Sequence, residues 1–407
     1  MTTTSKKKIL IVGAGIAGLS LARLCQRLNL AFTLIEKQPQ LRVTGAGIAL
    51  PANAVKALRY LGLGPEIDRE AHQVKTIFYT KSSGRILSTA SLLEPPLNLD
   101  HFVALPRKKL QEILINDLPA KIHFDTTVTA LTPSPNGLRV EFNSPHLTQE
   151  EYQAVIGADG LNSHIRELSF GPIPLVDLGV TNWRWISAFP TENLQPTYML
   201  GAQDLFMAYP ISSNSVYCYA HRYDPENKFG QHPDPQTLLR QIFKSYKGVA
   251  REFLENLPDN EALIPGRLRS VPHPFYTKGR VALVGDAGNA CSPMLQQGAA
   301  CALEDIIVLG ELLAAFKTET ALAYYEHYRK ERVDWIVQAS DRPMKTLVKM
   351  HALPAIIARN LFIRRKGPLN VQGWRKLLAT DPLAALPSFI AAMQTKVNPS
   401  IGGKHVV

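Results

Sequence analysis

Cysteine is scarce. Only Cys25, Cys218, Cys291 and Cys301 occur in 407 residues, and no two form a C-x-x-C pair. That spacing offers neither a zinc-ligand set nor a disulfide framework, and it suits a reducing cytoplasm. There is no run of 18 or more apolar residues, so no membrane span is expected. Nucleic-acid-binding motifs, a nucleophilic serine elbow and clustered metal ligands are also missing. Charged residues make up only 19% of the chain against 45% hydrophobic ones, a balance that excludes disorder and supplies material for two or three cores. The formal charge of +11 is unevenly spread. From Asp341 onward there are eleven Lys/Arg and two Asp/Glu, which leaves about +2 for the first 340 residues. A basic tail is thus expected rather than a nucleic-acid surface.

What is present begins with "KKKILIVGAGIAGLSLARLCQRLNLAFTLIEK". The lysines and apolar run imitate a signal peptide, but the glycines have a better explanation. Ile9–Val12 reads as a buried strand, Leu19 to Leu28 has helical spacing, and Ala31–Ile35 reads as a second strand ending at Glu36. Gly13, Gly15 and Gly18 form G-x-G-x-x-G between them. Gly13 permits a tight turn, Gly15 lets backbone approach a pyrophosphate, and Gly18 lets helix and strand pack closely. The helix N-terminus offers free N–H groups to phosphates, and Glu36 can accept hydrogen bonds from ribose hydroxyls. An acid there suits an unphosphorylated ribose, hence FAD or NAD; the motif does not choose between them.

Two later segments do. "VIGADGLNSHIR" carries a strand into Gly157-Ala158-Asp159-Gly160, with Arg166 following. "GRVALVGDAGNACSPMLQQGAACALEDI" carries a strand into Gly285-Asp286 and then a small-residue turn. With these two segments the chain resembles the FAD-dependent aromatic hydroxylases, single-component flavoprotein monooxygenases with the para-hydroxybenzoate hydroxylase fold. Three further stretches match: "GAGIALPANAVKALRYLGL" from Gly45, "ALPRKKLQEIL" with Arg107, and "YYEHYRKERVDWI". The resemblance runs from about Ile9 to Ser340.

The resemblance implies an α/β fold: a Rossmann-like, three-layer ββα FAD-binding domain, an inserted largely antiparallel β-sheet substrate domain, and a C-terminal helical extension. The expected FAD-binding parts are 1–73, 99–174 and 272–340. The substrate parts are a hairpin at 74–98 and a sheet at 175–271, and the extension is 341–407. Asp286 would hold the ribityl hydroxyls, and a helix starting near Gly298 would aim its positive end at the pyrimidine edge of the flavin. Arg107 would lie near the phosphates or adenine side, and Asp159 would link the FAD site to NAD(P)H use. The implied contacts extend to Ile16, Ala17, Lys37 and Gly47. Val128, Gly285, Pro293, Gln297 and Ala299 complete them. Two departures stand at the expected flavin edge: Asn289 where the family usually has His, and Gln296 where it usually has Gly.

Leu175 to Val271 alternates apolar and polar residues with many aromatics, as strands of an antiparallel sheet do. Candidate substrate contacts are Arg184, Phe206, Tyr217 and His221, with Met294 from the flavin side; each also has a plain reading as core. "WRWI" at Trp183–Ile186 resembles the signature of flavin-dependent halogenases, but Ser187 and Ala188 stand where Ile and Pro belong. The tail "RPMKTLVKMHALPAIIARNLFIRRKG" is basic and amphipathic. It reads first as helices packed on the FAD domain, with a membrane-surface or partner role as an alternative. A third reading follows from the tetracycline-inactivating branch, whose extra C-terminal helix bridges the domains.

The expectation is therefore an NADPH- or NADH-using monooxygenase. It passes one oxygen of O2, through a flavin C4a-hydroperoxide, to a small aromatic or polycyclic polyketide-like substrate, tetracyclines included. No metal and no catalytic dyad or triad is expected, because the chemistry is the cofactor's. The protein is expected to act as a monomer or weak homodimer without nucleic acid. The rival readings are a non-oxygenating reductase or dehydrogenase of the same fold and a flavin-binding regulatory protein.

Overall fold

A computed structural model describes residues 8–41, 46–118, 121–144 and 147–397. Gly45, the start of one matched segment, lies outside the described residues. The apolar run after the N-terminal lysines forms strand Lys8–Val12, and it sits near the middle of a six-stranded sheet. Ala31–Ile35 pairs with it in parallel on one side and Ala154–Gly157 on the other. Val281–Leu283 lies beyond Ala154–Gly157, also in parallel. The register sets Val12 beside Gly157 and Gly157 beside Leu283. Three motifs far apart in sequence therefore end side by side, at the carboxyl edge where open parallel sheets bind ligands.

Both faces of this sheet are covered, which is why its strands read as continuous apolar runs rather than alternating ones. Ile9 and Ile11 pack against helices, chiefly a fingerprint helix (Ile16–Arg27) and a core helix (Gly298–Ala315). Leu10 and Val12 pack against a three-stranded antiparallel sheet, through Val128, Leu138 and Val140. This is the three-layer ββα arrangement that the resemblance implied.

A seven-stranded sheet covers the carboxyl edge. Its longest strand, Val176–Ala188, pairs antiparallel with Ser215–Tyr223 and Ile264–Ser270. The hairpin Thr76–Lys81 and Ile86–Ser91 joins at the far edge, in parallel with Thr197–Leu200. One face buries Trp183, Trp185 and Phe206 with two short helices, and the other carries a row of tyrosines.

The core helix is buried almost throughout, yet it carries Glu304 and Asp305, both fully buried. A long helix (Thr318–Lys345) supplies their partners. Arg329 Nη1 donates to Glu304 at 2.8 Å and its Nε to Asp305 at 2.8 Å, while Arg332 adds a fork to Glu304 at 2.8 and 2.9 Å. Burial alone would raise the Glu304 carboxyl, but the guanidiniums of Arg332 and Arg329 outweigh it and hold it near 2. Its stabilising contribution is fully present above the ordinary carboxylate range and is lost as pH falls toward 2.

Three tail helices follow, at Leu353–Lys366, Leu369–Leu378 and Pro382–Val397. The third packs Leu383 and Leu386 into the helix-side core, as the sequence suggested. The second does not simply pack on that domain. Its Trp374 donates to Leu295 O at 2.8 Å and joins the tyrosine-side core of the second sheet, so the helix spans both halves. An 18-residue window within Leu353–Lys396 has a mean hydropathy of 1.2, enough by composition to cross a membrane. The chain there breaks into these three helices of 14, 10 and 16 residues, each shorter than the ~20 residues a bilayer core requires.

Arg329→Ala should cost about 3–5 kcal/mol in equilibrium unfolding, because it leaves two buried carboxylates underpaired. A loss below about 1 kcal/mol in urea titration would contradict the paired, buried geometry.

Candidate functional site

The carboxyl edge of the first sheet and the tyrosine face of the second enclose a cavity of about 1120 Å³. Gly13 follows strand Lys8–Val12 with φ of 103°, a conformation that favours glycine. At Gly18 a Cβ would lie 1.8 Å from Gly13 O, so the fingerprint helix can approach the strand only without a side chain there. Gly15 is different: nothing lies within 4 Å of its missing Cβ, and it opens onto the cavity with Ile16 and Ala17. Glu36 lies behind this turn. One carboxylate oxygen accepts from Ala14 N at 2.9 Å and the other from Gln38 N at 3.0 Å, which fixes the carboxylate beside the glycines.

Asp286 follows Gly285 and presents its carboxylate to the cavity, opposite Arg107. The surrounding protein raises the Asp286 carboxyl above its ordinary range, and the Arg107 charge partly offsets this. Burial in turn lowers Arg107, with Asp286 opposing and Arg184 reinforcing the shift. Arg184 and Arg107 both approach Tyr217, whose hydroxyl burial pushes up to about 12 despite their charges. Arg184 Nε is buried and has no hydrogen-bond partner among the described residues. Gly47 presses its backbone against the Tyr217 ring, where a Cβ would lie 2.4 Å from Cγ.

The core helix opens into the same space. Its first residues, Gly298 and Ala299, line the cavity, and no side chain caps its N–H groups. Pro293 and Met294 line the wall beside it.

Several expected contacts lie elsewhere. Asp159 uses Oδ1 for Ser163 at 2.5 Å and Oδ2 for the backbone N–H of His164 and Ile165, so it caps a helix; its neighbours Ala158 and Gly160 reach the cavity instead. Val128 is buried against the sheet's other face, and Lys37 is exposed outside the cavity. Gln297 is buried behind the helix start, accepting from Asn53 at 2.9 Å. Phe206 is fully buried on the far face of the second sheet, 5.9 Å centroid to centroid from Trp185. Met207 takes the cavity position expected of Phe206, because the register pairs it with Tyr219.

The two departures separate cleanly. Asn289 is not at the cavity edge: it is buried and donates to Asp305 at 2.8 Å. Gln296 does line the cavity. It adopts the left-handed region at φ 51°, where its glycine counterpart would sit without strain, at a cost of about 1 kcal/mol. Its amide donates to Tyr198 OH at 2.8 Å and so ties the loop before the core helix to the opposite sheet.

Much of the cavity wall formed by the second sheet and the tail was not expected from the sequence. Tyr79, Tyr198 and Tyr219 line the cavity, with Tyr79 and Tyr198 stacked at 5.1 Å. Asn370 of the second tail helix donates to Tyr79 OH at 2.8 Å. Arg359, Phe362 and Ile363 of the first tail helix close another side. Only the bridging-helix reading of the tail pointed there. His221 was expected and is present, 3.2 Å from Tyr219 OH through Nδ1. Burial lowers it to about 4, so it is neutral at pH 7.

The sequence model of the family described as "FAD binding domain" matches residues 6–342. Among curated proteins, "Aurachin C monooxygenase/isomerase" of Stigmatella aurantiaca is 29% identical over 343 residues, covering 82% of this chain and 88% of that one. "2-heptyl-3-hydroxy-4(1H)-quinolone synthase" of Pseudomonas aeruginosa is 28% identical over 339 residues, covering 82% and 87%. Among solved structures, Klebsiella pneumoniae HpxO with FAD and uric acid superposes with a TM-score of 0.83 at 22% identity, over 94% of this chain and 100% of that one. The tetracycline destructase Tet(55) superposes with a TM-score of 0.67 at 22% identity, over 93% and 98%. These two likenesses are of fold.

His221 binds fewer protons folded than unfolded between about pH 6.5 and 4, so stability should fall through that window as pH is lowered. His221→Gln should flatten the slope and recover up to about 3 kcal/mol at pH 4 relative to pH 7. Parallel stability–pH curves for the two proteins would count against a buried neutral imidazole.

Proposed function

The chain belongs to the FAD binding domain family and is an FAD-dependent monooxygenase, and from that membership we propose that it uses NADH or NADPH to place one oxygen atom on an electron-rich aromatic or enolic ring. The observation that carries this reading is the convergence of three strand ends, an uncapped helix start and several arginines, Arg107 and Arg184 among them, on one cavity. When bound, FAD would supply the redox chemistry, taking reducing equivalents from the nicotinamide and activating O2 so that one oxygen atom goes to the substrate and the other leaves as water.

The residues fit that cofactor. The open backbone at Gly15 and the turn at Gly13 suit a pyrophosphate, and Glu36, fixed beside them by Ala14 N, could accept from ribose hydroxyls. Asp286, facing the cavity, can accept from the ribityl chain. The free N–H groups at Gly298 and Ala299 can stabilise negative charge on the ring's pyrimidine edge. Arg107 and the unpartnered Nε of Arg184 offer positive charge to the same space.

On the substrate side, Tyr79, Tyr198 and Tyr219 offer flat aromatic walls with hydroxyl tips. Leu205, Met207, Met344 and Phe362 extend them with apolar surface. His221, held neutral and bonded to Tyr219, orients a hydroxyl and is not a strong base at pH 7. This lining suits a fused aromatic ring carrying an apolar extension, and the heptyl-quinolone in the name of one relative agrees with that class. Tetracycline inactivation is the narrower reading. The tail helices at the cavity and the fold likeness to the tetracycline destructase favour it.

The test is NADH and NADPH oxidation by the FAD-loaded protein with alkylquinolones, phenols and tetracyclines, following O2 uptake and product mass. A compound that stimulates oxidation and gains one oxygen is the expected result. Nicotinamide oxidation that releases hydrogen peroxide with every compound, and no oxygenated product, would count against the substrate class. Asp286→Ala should weaken FAD retention about 10–100-fold, read by flavin absorbance after gel filtration. Full retention would remove Asp286 from the cofactor site.

A further inference from the structure

The first tail helix, Leu353–Lys366, is poorly covered for a helix so apolar. Of its 14 residues only Asn360 and Ile363 are buried. Leu353, Ile357 and Leu361, spaced i, i+4, i+8, form a stripe exposed by 68%, 57% and 44%. The second tail helix, by contrast, buries Val371, Trp374, Leu377 and Leu378. Isolated surface leucines need no explanation, but a stripe along one helix face does.

Along the chain, the charge on either side of the stripe has one sign. Residues 342–380 contain nine Lys/Arg and no Asp or Glu. Arg364, Arg365 and Lys366 are exposed at the helix end, and Lys349 is exposed just before the helix. Among the described residues none of these four side chains makes an ion pair. An apolar stripe flanked by unpaired cations matches a surface that is apolar within and anionic at its rim. The same helix borders the cavity through Ala355, Ala358 and Phe362, and Phe362 is also 44% exposed. At 14 residues the helix rises about 21 Å, too short to cross the ~30 Å core but well suited to lie along its surface.

We propose that Leu353–Lys366 is an interfacial helix that seats the cavity mouth on an anionic lipid bilayer, so that apolar substrates pass from the bilayer past Phe362. The docking surface stands on exposure and charge and holds whatever the substrate of the monooxygenase proves to be. The probes are sedimented vesicles of phosphatidylcholine alone, or with about a third phosphatidylglycerol, mixed with the FAD-loaded full chain at low and high salt. At least ~10-fold more protein should sediment with the anionic vesicles at low salt, and high salt should reduce the excess. The variant Ile357→Glu with Leu361→Glu should lose that binding about tenfold, and Arg364→Gln with Arg365→Gln and Lys366→Gln should abolish the preference for anionic lipid. Both sets lie outside the cavity lining, so FAD absorbance and melting temperature should match the parent and exclude misfolding. Equal sedimentation with and without vesicles would overturn the proposal, as would variants that bind like the parent. A parent that dimerises by light scattering and binds no vesicles, with monomeric Ile357→Glu, Leu361→Glu protein, would overturn it in favour of a self-interface.

Discussion

Two carboxylates and two guanidiniums, sealed between the core helix and the long helix, set the position of almost everything else at the cavity. Glu304 and Asp305 lie within the first two turns of the core helix, and their partners reach well beyond Arg329 and Arg332. Asp305 Oδ2 accepts from Asn289 and, at 3.4 Å, from Gly285 N, which anchors the turn that presents Asp286. Glu304 accepts from Asn53 at 2.8 Å, and Asn53 also holds Gln297, the residue before the helix start. Burying four charges is costly unless every one is paired and hydrogen-bonded. Here each of the fully buried groups is, so the arrangement fixes the register of the helix start and of the Gly-Asp turn relative to each other. Asn289 belongs to this scaffold, not to the cavity wall.

The cavity joins two differently built surfaces. On the side of the first sheet, backbone dominates: glycine turns, an open helix start and a few fixed charges. Such groups cost little conformational entropy to hold in place, and they suit a ligand rich in phosphates and hydroxyls. On the opposite side, tyrosine rings dominate, supported by hydrogen bonds that cross between elements. Gln296 links the two sides. Its left-handed backbone is strained, and its amide bonds to Tyr198 on the other sheet. A glycine would relax the loop and leave the tyrosine without that donor.

The tail changes the character of the site. The second tail helix fills the seam between the halves, with Trp374 bonded to Leu295 O and Asn370 to Tyr79 OH. The first forms part of the rim and leaves its outer face uncovered. One segment thus meets the cavity and the solvent with apolar side chains at once.

The nucleotide fingerprint was determined locally. Glycine spacing, a buried strand and an acid at the next strand's end specify their turn with no distant partner, so Gly13, Gly15 and Glu36 are legible in the amino-acid sequence by itself. Asp286 and the helix from Gly298 follow from the same strand–turn–helix grammar. The tyrosine-lined wall is not legible in this way. Strand Asp204–Ser212 departs from the alternation expected across Leu175 to Val271: it is buried on both faces, so its sequence does not tell one face from the other. Phe206 and Met207 look equally eligible until the pairing of Met207 with Tyr219 decides which one meets the cavity. Asp159 and Gln297 sit in cofactor motifs, but their side chains are bound to Ser163 and Asn53, contacts that exist only after folding. Tertiary structure also decided the tail, because an amphipathic helix records that it has an apolar face and not what that face will cover.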